Sequence, residues 1–159
     1  MQFNNIGPDI IELKIKAVLN SHKYKKNHKI IKKIKTYKEA SEICTNLRYE
    51  LSHTDSLFKI WVHCGAFTNK HSVIVKFYEP KTYKDYVKTE FDKLLESRSD
   101  EDHIKTVVKD NIGQKHIAAS LAHNYNKIFD NEYLFDFEHY DTLILDAGNK
   151  IELYRVFTY

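Results

Sequence analysis

The sequence predicts an α+β protein: a single domain in which two antiparallel β-hairpins pack against several amphipathic helices. Helical and strand periodicities both occur, and they follow the order helices, hairpin, helices, strands. This order excludes the regular βαβ alternation of a parallel sheet. The chain has 159 residues, of which 42% are hydrophobic, with only four Gly and two Pro. A composition of this kind favours one packed domain over disorder, and it needs no disulfide or metal to fold.

Several stretches carry the apolar spacing of an amphipathic helix. The first is expected over 8–19. The clearest begins at Thr36, because Thr36 and Glu39 have the spacing of a capping box. Further helices are expected after Pro80, from the cap-like pair Ser99-Asp100 through Val108, and over Ile117–Phe129.

Strand patterns predict the two hairpins. Leu57–His63 and His71–Tyr78 are rich in β-branched and aromatic residues and form the first one, which places Trp61 in a strand. Because strand side chains alternate, an inward face made by its two neighbours would leave Trp61 outward, as an interface candidate. A further strand is expected over 132–137, and strands over 141–146 and 150–157 flank a turn at 147–149. No internal repeat is apparent.

Charge is distributed unevenly along the chain. The net charge is +3, yet the segment 14–38 contains ten lysines and no acidic residue, so the remainder carries −7. The sequence therefore divides into a basic, helical N-terminal segment, 1–38, and an acidic body, 39–159. In the basic segment Ile30, Ile31, Ile34 and Tyr37 recur at helical spacing, which predicts an amphipathic basic helix.

This basic segment, Lys14–Lys38, has three interpretations. It forms a solvated or internally paired helix, it binds nucleic acid, or it docks an acidic protein or membrane surface. Binding to nucleic acid would tolerate many sequences, because lysine lacks the bidentate fork with which arginine reads guanine. The candidate residues for contact with a host protein or nucleic acid are Lys25, Lys26, Lys29, Lys32, Lys33, Lys35, Ile30, Ile34, Tyr37 and Trp61.

Histidines provide the only enzyme hypothesis, a small nuclease or phosphoesterase. His63 and His71 bracket the first hairpin and are in a position to face each other, whereas His116 and His123 share a helix face with Ser120. The spacing of Arg98 and His103 occurs in some helical RNases, although a solvated turn is the favoured interpretation. No phosphate loop, nucleophile elbow or zinc-protease motif is present. No catalytic residue, metal site or cofactor is therefore assigned, and the balance is against an enzyme.

The two cysteines and the N-terminus point to a reducing compartment. Cys44 falls on the apolar face of a predicted helix and is expected to be buried, and Cys64 ends a strand and is expected to be half-exposed. Both are expected to stay reduced. The N-terminal residues lack the pattern of a signal peptide, and no apolar stretch approaches the length that spans a bilayer. The expected location is the cytosol of a bacterium or of a host cell.

One stretch carries a family likeness. A helix leads into Lys59-Ile60-Trp61-Val62, and Gly65, the strand Ser72–Phe77 and Pro80 follow. With these features Ser41–Val87 resembles a small domain of the large polyvalent proteins of phages and plasmids, although it has one turn glycine where that family tends to have two. The resemblance implies an accessory protein of a mobile element that acts inside a bacterium.

The leading hypothesis rests on the uneven charge distribution and on the absence of catalytic motifs. It describes a non-enzymatic, phage-like accessory protein that binds a host macromolecule, for example as an inhibitor or counter-defence factor. The alternatives are the sequence-tolerant nucleic-acid-binding protein and the histidine-dependent enzyme.

Overall fold

The computed structural model describes residues 28–65, 70–97 and 105–159, together with Leu13, Lys16 and Ala17. Its elements are β1 (His28–Ile34), α1 (Tyr37–Leu51), β2 (Leu57–Cys64), β3 (His71–Tyr78), α2 (Pro80–Glu96), β4 (Thr106–Ile112), α3 (Lys115–Ile128), β5 (Phe135–Ile144) and β6 (Lys150–Thr158). The strands form two antiparallel three-stranded sheets, in the orders β1-β3-β2 and β4-β6-β5. The α+β class is confirmed. No described helix is long and apolar enough to cross a membrane.

The fold clusters into two compact units, Met1–Glu79 and Pro80–Tyr159. In the first unit, α1 begins as predicted: the Thr36 hydroxyl accepts a hydrogen bond of 3.1 Å from the backbone N–H of Glu39. The buried stripe of α1 packs against β2 and β3. Cys44 lies in this core, where burial raises the pKa of its thiol to about 12. Cys64 is exposed. That residues 1–159 form one domain stays a prediction, because each unit is compact in its own right.

The predicted basic helix is wrong over its described part, because residues 28–34 form the edge strand β1. Ile31 pairs with Val73 and Ile34 pairs with His71, and these two partners point to the same face of β3. A β-bulge between them, with Lys33 at φ 64°, adds the extra residue that turns both isoleucines into the core. A bulged strand thus reproduces the apolar spacing of a helix. Before His28 only Leu13, Lys16 and Ala17 are described, and all three are helical. The rest of the helix predicted over 8–19 and of the basic segment lies outside the described residues.

The second unit holds the other two departures from the predicted elements. The helix expected from Ser99-Asp100 through Val108 is wrong over its described part, because Thr106–Ile112 pairs with β6 as strand β4. Its first residues, 99–104, lie outside the described residues. The strands expected over 132–137 and 141–146 are one continuous strand, β5, with an irregular register between His139 and Asp141. The hairpin around 147–149 is confirmed, and so are the helices after Pro80 and around Ile117.

Both units contain the same β-α-β-β arrangement at the same spacing. β1, α1 and β2 begin at residues 28, 37 and 57, whereas β4, α3 and β5 begin at 106, 115 and 135. In each sheet the last strand lies in the middle. Even the bulges correspond, since Lys33 has φ 64° and Asn111 has φ 55°. Across 28–57 only Ile34, Ala40 and Asn46 are identical to the residue 78 positions later, so the repeat is one of fold and escapes detection in the sequence.

Candidate functional site

The positive charge of the protein lies in the first unit. Met1–Glu79 contains 14 Lys and Arg against seven Asp and Glu, a net charge of +7. Pro80–Tyr159 contains 11 against 15, a net charge of −4. Within the first unit residues 1–38 carry +8 and residues 39–79 carry −1, so the change of sign lies at residue 38, as the sequence indicated. A site for an anionic ligand is expected in the first unit, which contains this segment.

One face of the first sheet is directed away from α1. Ile60, Val62 and Val75 are buried in the core with α1, and strand alternation directs the intervening side chains to the opposite face. Trp61 lies on that face and is half-buried, as the alternation predicted. We call this surface the basic aromatic face. Its residues are His28, Ile30, Lys59, Trp61, Ile74, Lys76 and Tyr78.

Cross-strand register arranges these residues in rows. His28, Lys76 and Lys59 lie side by side across β1, β3 and β2. The next row is apolar and consists of Ile30, Ile74 and Trp61. None of the three strands contains an acidic residue. Like charges placed directly opposite each other, as in Lys59 and Lys76, destabilise a sheet. An anion bound between them would relieve this repulsion, and the apolar row beside them matches a flat apolar group of the same ligand.

Each of the two lysines lies over an aromatic ring. Lys59 Nζ lies 4.9 Å from the centroid of the Trp61 ring, and Lys76 Nζ lies 5.1 Å from that of Tyr78. The His28 ring meets Trp61 edge-on, with 6.2 Å between the ring centroids. Burial raises the pKa of Tyr78, so its phenol stays neutral at physiological pH. Cation–π contacts therefore position both ammonium groups beside apolar ring surface.

In the corresponding sheet of the second unit, one carboxylate, that of Glu138, pairs with two cations. Lys105 Nζ donates to both carboxylate oxygens of Glu138, at 2.5 and 2.8 Å, and Arg155 Nε donates to Oε2 at 2.8 Å. The hydrogen bonds from Lys105 and then Arg155 lower the pKa of Glu138. The Arg155 guanidinium lies 5.2 Å from the ring of Tyr140.

The residues predicted for partner contact are distributed as follows. Lys32, Lys33 and Lys35 are exposed, and Lys29 is half-buried. Ile30 and Tyr37 are 47% and 51% exposed. Ile34 is a core residue with 1% exposure, so its predicted contact with a partner is wrong. Lys25 and Lys26 lie outside the described residues.

Sequence reasoning missed His28, Lys59, Lys76 and Tyr78, which share the face with Trp61. The alternation of β2 and β3 carried the signal for Lys59, Lys76 and Tyr78. The hairpin register was needed to use it, because only the register places residues of two strands opposite each other.

The histidines do not form the arrangement that the enzyme hypothesis needs. His63 pairs with Ser72, and His71 pairs with Cys64, so the two histidines point to opposite faces and the predicted facing pair is wrong. His116 is fully buried, and the Ser120 hydroxyl donates to its carbonyl oxygen at 2.7 Å. Within the described chain no three His, Cys, Asp or Glu side chains cluster as metal ligands would. Arg98 and His103 lie outside the described residues.

Comparison with known proteins gives one match. The model of a protein family of unknown function matches residues 4–140, a stretch that crosses the boundary between the two units. Searches of curated proteins and of solved structures find no match. None of these comparisons bears on the resemblance to polyvalent proteins of phages and plasmids, which stays a prediction.

Proposed function

This chain belongs to DUF5864, a family of unknown function, and we propose that it binds single-stranded nucleic acid with little sequence preference through the basic aromatic face. The observation that carries the proposal is the pair of opposed lysines, Lys59 and Lys76, beside Trp61, in strands without any acidic residue. A nucleic acid supplies both complements, because its phosphates neutralise lysine ammonium groups and its bases stack on aromatic rings.

Single strands fit this face better than duplexes. Trp61 and Tyr78 can reach base faces only where the bases are unstacked from a partner strand. The face contains lysine and histidine but no arginine, so it lacks the planar fork that reads a guanine edge. Exposed Lys32, Lys33 and Lys35 continue the positive surface from β1 toward α1. The face thus combines a positive surface that can bind phosphates of any sequence with an aromatic ring on which a base can stack.

A fluorescence titration tests the proposal, because the chain has a single tryptophan and it lies on this face. A short oligo(dT) or oligo(U) is added at low salt and the emission of Trp61 is followed. We expect saturable quenching by stacking. If the two lysines each neutralise a phosphate, log Kd should change with log salt by roughly 0.7 per contact, or about 1.4 in total.

A matched titration identifies the source of any signal. A duplex of equal charge should bind more weakly and leave Trp61 emission nearly unchanged, because its bases are not free to stack. Absence of quenching by DNA and RNA single strands at low salt would sink the proposal. So would quenching that is insensitive to salt.

A protein partner is the second candidate, and one observation favours it. Leu143, Ile144, Leu145 and Ile151 are 37–74% exposed at the tip of the β5–β6 hairpin, and clustered exposed aliphatic residues are typical of protein interfaces. This candidate retains the mobile-element hypothesis: a phage-like accessory protein in the bacterial or host cytosol that docks on a host protein, for example as an inhibitor. Capture of the same host protein from lysate with and without nuclease would support it, whereas capture lost on nuclease treatment would favour the nucleic-acid function.

A further inference from the structure

The distal half of the β5–β6 hairpin extends beyond its sheet. We call residues 141–153 the apolar arm. β4 pairs with β6 only between Tyr154 and Thr158, so within the described chain the strands of the arm pair with each other alone. The turn is well defined: Leu145 N–H donates to the Asn149 carbonyl at 2.6 Å, and Ala147 and Gly148 have φ of 65° and 79°. The arm is therefore an ordered two-stranded ribbon, and no other described strand pairs with either of its edges.

The arm exposes aliphatic side chains on both sides. Leu143 and Ile151 are directly opposite each other, with exposures of 44% and 37%, and form one patch. Ile144 is 74% exposed on the other side of the ribbon, opposite Lys150, and Leu145 is 45% exposed. A two-stranded ribbon alone is marginally stable in water, and apolar edges are what proteins normally blunt. This arm is therefore expected to gain stability by docking.

The net charge of the apolar arm indicates which kind of partner can dock on it. The arm contains three acidic residues and one lysine, which opposes insertion into an anionic lipid surface. The same excess disfavours a symmetric contact between two arms, since it would bring like charges together. The occupant should instead be basic, partly apolar and able to pair with a strand.

Strand β1 of a second copy meets these requirements. It is the edge of its sheet, and no described strand pairs with its outer side. Ile30 is 47% exposed, and Lys32, Lys33 and Lys35 are exposed at its end. The units that would meet carry −4 and +7. We propose that the apolar arm of one copy adds to β1 of a second copy by β-strand addition, a head-to-tail contact that repeats into rings or filaments. This assembly goes beyond the proposed function and does not depend on it.

Analytical ultracentrifugation of the full chain, up to roughly 0.2 mM and at low salt, tests the arm, because weak micromolar self-association is visible in that range. The wild type should gain mass with concentration and lose it with added salt. Ile144→Thr with Ile151→Thr keeps β-branched residues but should raise the concentration for half-association by about tenfold or more. Leu134→Thr, at a position 74% exposed in the same unit but outside the arm, is the control. A wild type that stays monomeric throughout overturns the proposal.

A charge swap tests the docking site. Lys32→Glu with Lys35→Glu should abolish association, and so should Asp141→Lys with Glu152→Lys. An equal mixture of the two variants should associate again, because each arm then meets a β1 edge of opposite charge. Association that needs the arm but is unaffected by the β1 variant would assign an arm-to-arm dimer and refute the head-to-tail contact. Binding of oligo(dT) by the monomeric arm variant reports on the nucleic-acid face independently.

Discussion

Replacing Lys59 and Lys76 by Gln should separate binding from stability. The two residues are directly opposite on β2 and β3, and each ammonium group lies over a different ring. In the counterion-release treatment, each phosphate contact contributes to log K about 0.7 times the negative logarithm of the salt concentration. Two lost contacts then weaken binding to a single strand by roughly 60-fold at 50 mM salt and roughly 15-fold at 150 mM.

Folding should barely respond to the same change. Each Gln loses a cation–π contact worth about 0.5–1 kcal/mol. Removal of the opposed like charges returns about 0.2–1 kcal/mol. The two lost contacts together exceed this gain by about 1 kcal/mol, so we expect a melting temperature only a few degrees below that of the wild type. A binding loss without a stability loss is typical of a ligand site.

Oligonucleotide titration at the two salt concentrations, followed by thermal melting monitored by circular dichroism, measures both quantities. Lys84→Gln with Lys88→Gln removes the same charge from exposed positions of α2 and serves as the matched control. Equal binding losses in the two double variants would refute the reasoning, because net charge would then explain the effect. A large drop in melting temperature for the Lys59 and Lys76 variant would show that the cationic row has a structural role instead.

Three further predictions concern local energetics. Thr36→Ala removes the side-chain acceptor for the Glu39 N–H at the start of α1 and should cost about 1 kcal/mol in urea unfolding; an unchanged midpoint would mean that water replaces the cap. Glu138 has a lowered pKa in the folded state, so its contribution to stability is present above the ordinary carboxyl pKa and disappears as pH falls through the folded value. The stability deficit of Glu138→Gln relative to the wild type should accordingly shrink on acidification, and a pH-independent difference in melting temperature would contradict this. Ala147→Gly relieves a positive φ of 65° and should raise the unfolding free energy by up to about 1 kcal/mol; a lower value would show that the turn gains nothing from glycine.

Much of the first unit could be predicted because its signals are local. The capping box at Thr36, the apolar stripe of α1 and the alternation of β2 and β3 each depend on residues a few positions apart. Alternation left two orientations open for Trp61, and the burial of Ile60 and Val62 selects the outward one. Strands β1 and β4 could not be predicted in this way, because both contain bulges that break the period of two. A residue in the left-handed region inside a strand has no reliable sequence signature when it is a lysine, as at position 33.

The sequence by itself determined the fold class, the central hairpins, the capped helix and the excess of positive charge near the N-terminus, since composition and short-range periodicity specify these properties. The tertiary structure alone decided that the lysines at 29–33 belong to a strand and that Lys59 and Lys76 are opposite each other. It also decided that the second unit repeats the strand order of the first and that Glu138 pairs there with Lys105 and Arg155. These features depend on cross-strand register, which joins residues far apart in the chain, and the pairing energy that selects the register is spread over whole strands.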